Sequence, residues 1–261
     1  MTPASSVRVA VGVATDRAGR SSNEDALHAA DGVYVVADGM GGHESGELAS
    51  RTAVDALRTL AEGSPDLAAA RAVLRTAHQK VRALPARDKH RRPGTTASGV
   101  VLSEHEGVAC WLVLNVGDSR TYRMAGGVLE QVTRDHSEVA DLVERGVVAR
   151  SDAAHHPRRH VVTRALGGRS AQVEPDVFWL PVSPGDRMLV CSDGLTDELT
   201  DARIEAELKA QPDPQVAADR LVAATLAAGG SDNVTVLVVD AEVEHGSRSN
   251  PTGVVRILAG D

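Results

Sequence analysis

Residues 7–15 are rich in valine and in part alternate apolar with polar, which predicts a strand. A second apolar run, 33–37, stops abruptly at Asp38 and is followed by Gly39, Gly41 and Gly42. Between 44 and 61, Leu48, Ala49, Ala53, Val54, Leu57 and Leu60 recur at helical spacing. Ser64-Pro65-Asp66 restarts a helix with Leu67, Val73, Leu74, Ala77, Val81 and Leu84 on its buried face. After a basic loop at 85–93, residues 95–102 and 107–116 read as a hairpin. Tight turns at 117–120 and at Gly126-Gly127 lead into strands at 121–124 and 128–132. Four short strands in succession predict an antiparallel sheet. The pattern then breaks into a polar stretch, 135–170, with a short helix around Leu142 and Val143. Strands at 173–180 and 188–191, helices at 199–208 and 216–228 and a last strand at 234–240 follow. From 242 onward the chain is polar, apart from an apolar patch at 254–258.

The apolar runs share one feature. Asp38 ends the run at 33–37, Asp193 follows the run at 187–191, and Asp232 precedes the run at 234–239. Asp118 stands at a fourth strand tip. A carboxylate at the end of a buried strand is costly unless something neutralises it. One such residue reads as well as a turn aspartate. Several are the pattern by which strands bring oxygen ligands to a hard divalent cation. Two cations about 3.5–4 Å apart polarise a phosphoryl oxygen and turn a bridging water into a hydroxide that attacks phosphorus. Arg20, close in sequence to Glu24 and Asp25, reads either as a phosphate-binding fork or as an exposed ion pair.

Composition narrows the classes. A 42% hydrophobic, 25% charged chain of 261 residues folds around a core, which with 2% aromatics is built from Val, Leu, Ala and Ile. The net charge of -8 argues against a nucleic-acid-binding face. Cys110 and Cys191 lie in apolar runs and read as buried thiols of a reduced compartment. His136, His155, His156 and His160 lack the spacing and the cysteine partners of a structural zinc site. No signal peptide and no membrane-length apolar stretch is seen, so a soluble, cytoplasmic, monomeric protein is expected. There is no GxSxG elbow, no CxxxxxR loop and no Walker motif.

Eight stretches in order carry a resemblance: RSSNEDA (20–26), VVADGMGGHESGELAS (35–50), GTTASGVVL (94–102), NVGDSRTYRM (115–124), TRDHS (133–137), VVTRALGG (161–168), LVCSDGLTDEL (189–199) and GGSDNVTVLVV (229–239). Together they resemble the metal-dependent, type-2C serine/threonine protein phosphatases in their bacterial single-domain form. The resemblance implies an α+β fold, a four-layer α/β-β/α sandwich of two antiparallel sheets flanked by helices. It implies a catalytic domain at 7–240, a flap at about 135–170 and a C-terminal tail at 241–261. By motif position, Asp38, Asp193 and Asp232 hold one Mn²⁺ or Mg²⁺. Asp38, Glu24 and the backbone oxygen of Gly39 hold a second, with Asp25 near it through water. Asp118 and Asp193 hold a third, weaker ion, and Arg20 clamps the substrate phosphate. Phosphorylated proteins, and a serine/threonine kinase with its targets, are the partners implied. Two positions depart from the family pattern. Met40 stands where many eukaryotic members have a histidine, with His43 close by, and His160 replaces a small polar flap residue. Two rivals remain: a catalytically silent phosphatase-like binding module, and a phosphatase of one phosphorylated regulator such as an anti-sigma antagonist.

Overall fold

The computed structural model describes residues 6–42, 44–86 and 92–244. Of the described strands, the first, β1 (Ser6–Asp16), pairs antiparallel with the last, β12 (Val234–Glu244), from Ser6 opposite Glu244 to Asp16 opposite Val234. Beyond β12 lie β11 (Arg187–Cys191), β7 (Arg120–Ala125) and β8 (Val128–Gln131), giving a sheet ordered β1-β12-β11-β7-β8. The second sheet contains β2 (Asp25–Ala30), β3 (Val33–Met40), β4 (Gly94–Thr95), β5 (Ala97–His105), β6 (Val108–Val116), β9 (Leu166–Gly167) and β10 (Asp176–Pro181). Its order is β10-β6-β5-β3-β4-β9, with β2 also paired to β3.

The apolar runs are continuous because both faces of these strands are covered. Along β3, Tyr34 and Val36 point into the space between the sheets, where they join Val100, Trp111, Met188, Val190, Leu237 and Val239. Val33 and Val35 point the other way, against Ala49, Ala53 and Leu57 of α1 (Glu44–Leu57) and Leu74 and Ala77 of α2 (Leu67–Arg82). Val234, Val236 and Val238 of β12 pack on Ile204 and Leu208 of α5 (Asp201–Ala210) and Leu221 of α6 (Pro214–Ala228). The result is helix, sheet, sheet, helix. Each buried Val or Leu contributes roughly 1.5–3 kcal/mol of transfer free energy. Asp66 and Asp213 cap α2 and α6 through the amides of Ala69 and Val216.

Several elements differ from the pattern-based expectation, among them β9, which lies within the polar stretch 135–170. β2 forms a hairpin with β3 through Asp31 and Gly32, both at positive φ (52° and 78°). A short helix, α4 (Asp193–Glu198), begins at the carboxylate after β11. The final strand runs on to Glu244, four residues past 240. The polar stretch carries α3 (Glu138–Glu144) and a 3-10 helix (Arg150–His155). Its two roots meet where Ser137 bridges Val162. His43, the patch at 254–258 and residues 87–91 of the basic loop lie outside the described residues.

Candidate metal centre

Strand register brings the acidic tips to one end of the sandwich. Cys191, two residues before Asp193, pairs with both Arg120 and Val236. That places Asp118, Asp193 and Asp232 just beyond the same edge. On the second sheet Asp25 lies directly opposite Asp38. The carbonyl of Asp38 accepts the amide of Thr96, which sets it beside the β5–β6 pair and hence beside Asp118.

The carboxylates sense one another. Burial, and then the charges of Asp193, Asp25 and Asp118, push the Asp38 carboxyl well above the usual range. Burial raises Asp193 as well. Asp25 is pushed up to about 7, by burial and by Asp193 and Asp232, against the hydrogen bonds of Thr235 and Ser192. Asp118 is pushed up to about 8, by burial, Asp193 and Asp135, with Arg120 opposing. Like charges face to face across strands destabilise a sheet. Two oxygens, Asp25 Oδ1 and Asp193 Oδ1, are sealed from solvent without a hydrogen-bond partner.

Around this cluster the backbone is held by polar groups that sequence reasoning passed over. Asn233 accepts the Glu24 amide at 2.8 Å and donates to the carbonyls of Arg17 and Ser22, which fixes the 17–24 loop against β12. Ser192 donates to Asp25 Oδ2 at 2.8 Å. Arg120 binds Asp135 through Nε and Nη2 and Tyr122 through Nη1, so a fixed cation stands behind Asp118. His136, 2% exposed, accepts the Gly117 amide at Nδ1, which leaves Nε2 facing Asp176 Oδ2 at 3.1 Å. It thereby ties the flap root to the turn that carries Asp118, and is no zinc ligand. The signal for Asn233 and Ser192 was present, since each directly adjoins a candidate aspartate.

Each sequence-predicted residue can now be placed. Asp25, Asp38, Asp118 and Asp193 converge. Asp232 joins them, with Arg20 Nη2 donating to its Oδ2 at 2.6 Å. Glu24 Oε2 and the Gly39 carbonyl oxygen both face Gly46 on α1, at 1.9 and 2.9 Å from where a Cβ would stand. Among the described residues, the three ligand atoms that come within 4.8 Å of one another belong to His160, Asp193 and Asp197. Asp38, Asp193 and Asp232 are therefore spread more openly than a closed ligand set.

The donors fit hard divalent cations: all are oxygens, most are carboxylates, and two are buried orphans. Gly46→Ala tests this. Ala is worth about 1 kcal/mol over Gly inside a helix, so α1 gains. The new methyl displaces Glu24 and crowds the Gly39 carbonyl, and divalent-cation affinity by calorimetry should fall roughly 10–100-fold, with a thermal melt of the cation-free variant establishing that it still folds.

The family model for protein phosphatase 2C matches residues 14–228. The chain belongs to the protein phosphatase 2C family. It is 38% identical over 227 residues to serine/threonine protein phosphatase PstP of Mycobacterium tuberculosis, an alignment covering 85% of this chain and 42% of PstP. It thus spans about two-fifths of that relative. Among solved structures it superposes on the PPM Ser-Thr phosphatase MsPP of Mycobacterium smegmatis in complex with cacodylate, with TM-score 0.80 and 40% identity over 88% of this chain and 97% of that one. The catalytic domain of PstP in complex with two manganese ions gives TM-score 0.77 and 32% identity, covering 91% of this chain and all of that one. These likenesses confirm the two-sheet sandwich expected of a 2C-family chain.

Proposed function

We propose that this chain is a divalent-cation-dependent phosphatase of phosphoserine and phosphothreonine in proteins. The observation that carries the reading is the convergence of Asp25, Asp38, Asp118, Asp193 and Asp232 at one end of the sandwich, with Arg20 at its rim. The names of PstP and MsPP, and the manganese of the PstP catalytic domain, support it. Asp38, Asp193 and Asp232 would hold one Mn²⁺ or Mg²⁺. Asp38, Glu24 and the Gly39 carbonyl would hold another, with Asp25 at one remove, and Asp118 with Asp193 a third. When bound, such ions polarise a phosphoryl oxygen and lower the pKa of water.

The chain's own groups do the rest. Arg20 is more than half exposed at its ion pair with Asp232, so its guanidinium can turn to a phosphate and bind it through two N–H groups. Met40 offers no proton, and it lies on β3 opposite Gly94. The leaving serine or threonine oxygen therefore takes its proton from water. Residues 7–240 would form the catalytic domain, with 135–170 as a flap that selects the protein around the phosphoamino acid. Partners would be phosphorylated proteins and the kinase that makes them. The acidic net charge speaks against nucleic acid. Among the described residues no helix is long and apolar enough to cross a membrane. A cytoplasmic monomer is the setting we propose.

The test is hydrolysis of a phosphothreonine peptide with Mn²⁺ and with excess chelator; full turnover in chelator would end the reading. Arg20→Ala should lower kcat/KM about 10–100-fold, the worth of hydrogen bonds to a charged group, and mainly through KM. Arg20→Lys should recover little, because an ammonium cannot grip two oxygens in one plane.

A further inference from the structure

The first sheet ends on one side at β1, and Gln215 caps part of that free edge. Val13 donates its amide to Gln215 Oε1 at 3.0 Å, and its carbonyl accepts from Gln215 Nε2 at 2.9 Å. Gln215, in the first turn of α6, thus stands where a neighbouring strand would pair. Ala241, opposite Val9, uses its amide and carbonyl on the far side of β12, toward Asp186 and Gly185. In an antiparallel ladder the residues between the bonded pairs point these groups away from each other. Val7, Val9 and Val11 lie in step with Val13. Their backbone groups therefore face the free edge, and among the described residues nothing bonds to them. Exposed edges are usually blunted by lysine, proline or a bulge. Here the register runs unbroken from Ser6 to Asp16, and the three valines are only partly buried between the sheets. Leu27 and Ala29 of β2 are partly buried in the same layer.

The sequence supplies a partner for that edge. Residues 254–258, Val-Val-Arg-Ile-Leu, are an apolar run rich in β-branched residues. Asn250-Pro251-Thr252-Gly253 precedes it and Ala259-Gly260 follows, the punctuation of a strand. β12 ends at Glu244, opposite Ser6, where the open edge of β1 begins. A strand beyond β1 lies two strand spacings from β12, about 10 Å. Residues 245–253 can reach about 30 Å when extended. We propose that residues 254–258 add to β1 as an outer strand of the first sheet, parallel to it and bonded to the backbone of Val7, Val9 and Val11. Alternation then turns Val255 and Ile257 toward the space between the sheets, beside the partly buried valines. It places Val254, Arg256 and Leu258 on the side of exposed Ala10. A tethered segment meets its site at an effective concentration in the millimolar range, which favours it over a second copy of the chain. The tail so used shields an edge that is otherwise a template for association.

Amide exchange, read residue by residue by NMR on the full chain, tests this in the wild type and in the double variant Val255→Asp/Ile257→Asp. The expected result is slow exchange at Val7, Val9 and Val11 in the wild type. In the variant it should be at least about tenfold faster, the scale of a lost hydrogen bond. Val13, whose amide Gln215 holds, should not change. Both substitutions lie outside every described strand and helix, and an unaltered Val13 rate establishes that the variant is folded. Fast exchange at Val7, Val9 and Val11 in the wild type overturns the proposal, as does slow exchange that survives the double substitution. Protection that fades when the wild type is diluted assigns the edge to a second copy of the chain, and overturns it as well. Phosphate chemistry plays no part in the readout, so failure here leaves the phosphatase reading standing.

Discussion

Asp38→Asn should cut phosphothreonine-peptide hydrolysis by roughly a thousandfold or more, about 4 kcal/mol of barrier, while the cation-free protein becomes harder to melt. The two effects have one cause. Burial and the neighbouring charges of Asp193, Asp25 and Asp118 push the Asp38 carboxyl strongly toward its neutral form. An amide of the same shape donates permanently to Asp193, where the acid must keep a proton to do so. At neutral pH the unfolded acid is ionised while the folded one is driven toward its neutral form, and an amide, which never ionises, avoids that cost. Melting in chelator and turnover in Mn²⁺, measured on the same preparation, check both halves. A variant that loses activity and also loses stability in chelator would mean that Asp38 supports the fold, and would remove it from the ligand set.

The second large effect is on stability against pH. In excess chelator the melting midpoint should fall steadily from pH 5 to pH 8. Asp25 is pushed up to about 7 and Asp118 to about 8, against about 3.9 for an unfolded aspartate. Between those limits the folded chain holds protons that the unfolded chain has released. Stability is therefore greatest below the unfolded value and drains away as pH climbs through the folded ones. Each kcal/mol lost lowers the midpoint of a domain this size by about 2–4 °C. Saturating Mn²⁺ should reverse the slope, since cations bind the deprotonated carboxylates and bind them better at higher pH. The double variant Asp25→Asn/Asp118→Asn should flatten the chelator curve. A flat wild-type curve would show that these acids do not share one site.

Much of the site was legible before any coordinates because its chemistry breaks a local rule. Runs such as 33–37 and 187–191 read as buried strands, and an aspartate at the end of each needs a partner. The layered architecture was not legible in that way. It came from the resemblance, since continuous apolar runs do not say what covers each face. β2 escaped notice because Asp25–Ala30 carries no β-branched residue and is only half-buried. The Asp31-Gly32 turn that announces its hairpin was there to be read. α4 escaped because six residues are too few to show a helical period. Asp197 went unremarked with it, as no apolar run points at it. The basic character of Arg20 was plain, but not its choice of Asp232, 212 residues away in the chain.

The edge-to-edge pairing of β1 with β12 has a consequence for how the protein comes into being. The acidic cluster draws on residues 25 and 38 and also on residue 232, and the strand that seats Asp232 is the last one described. A growing polypeptide that has left the ribosome only as far as α5 carries most of the ligands and none of the finished cleft. The acidic cluster is thus complete only once β12 has been made and paired, and a fragment truncated before β12 should be inert however well the residues ahead of it collapse.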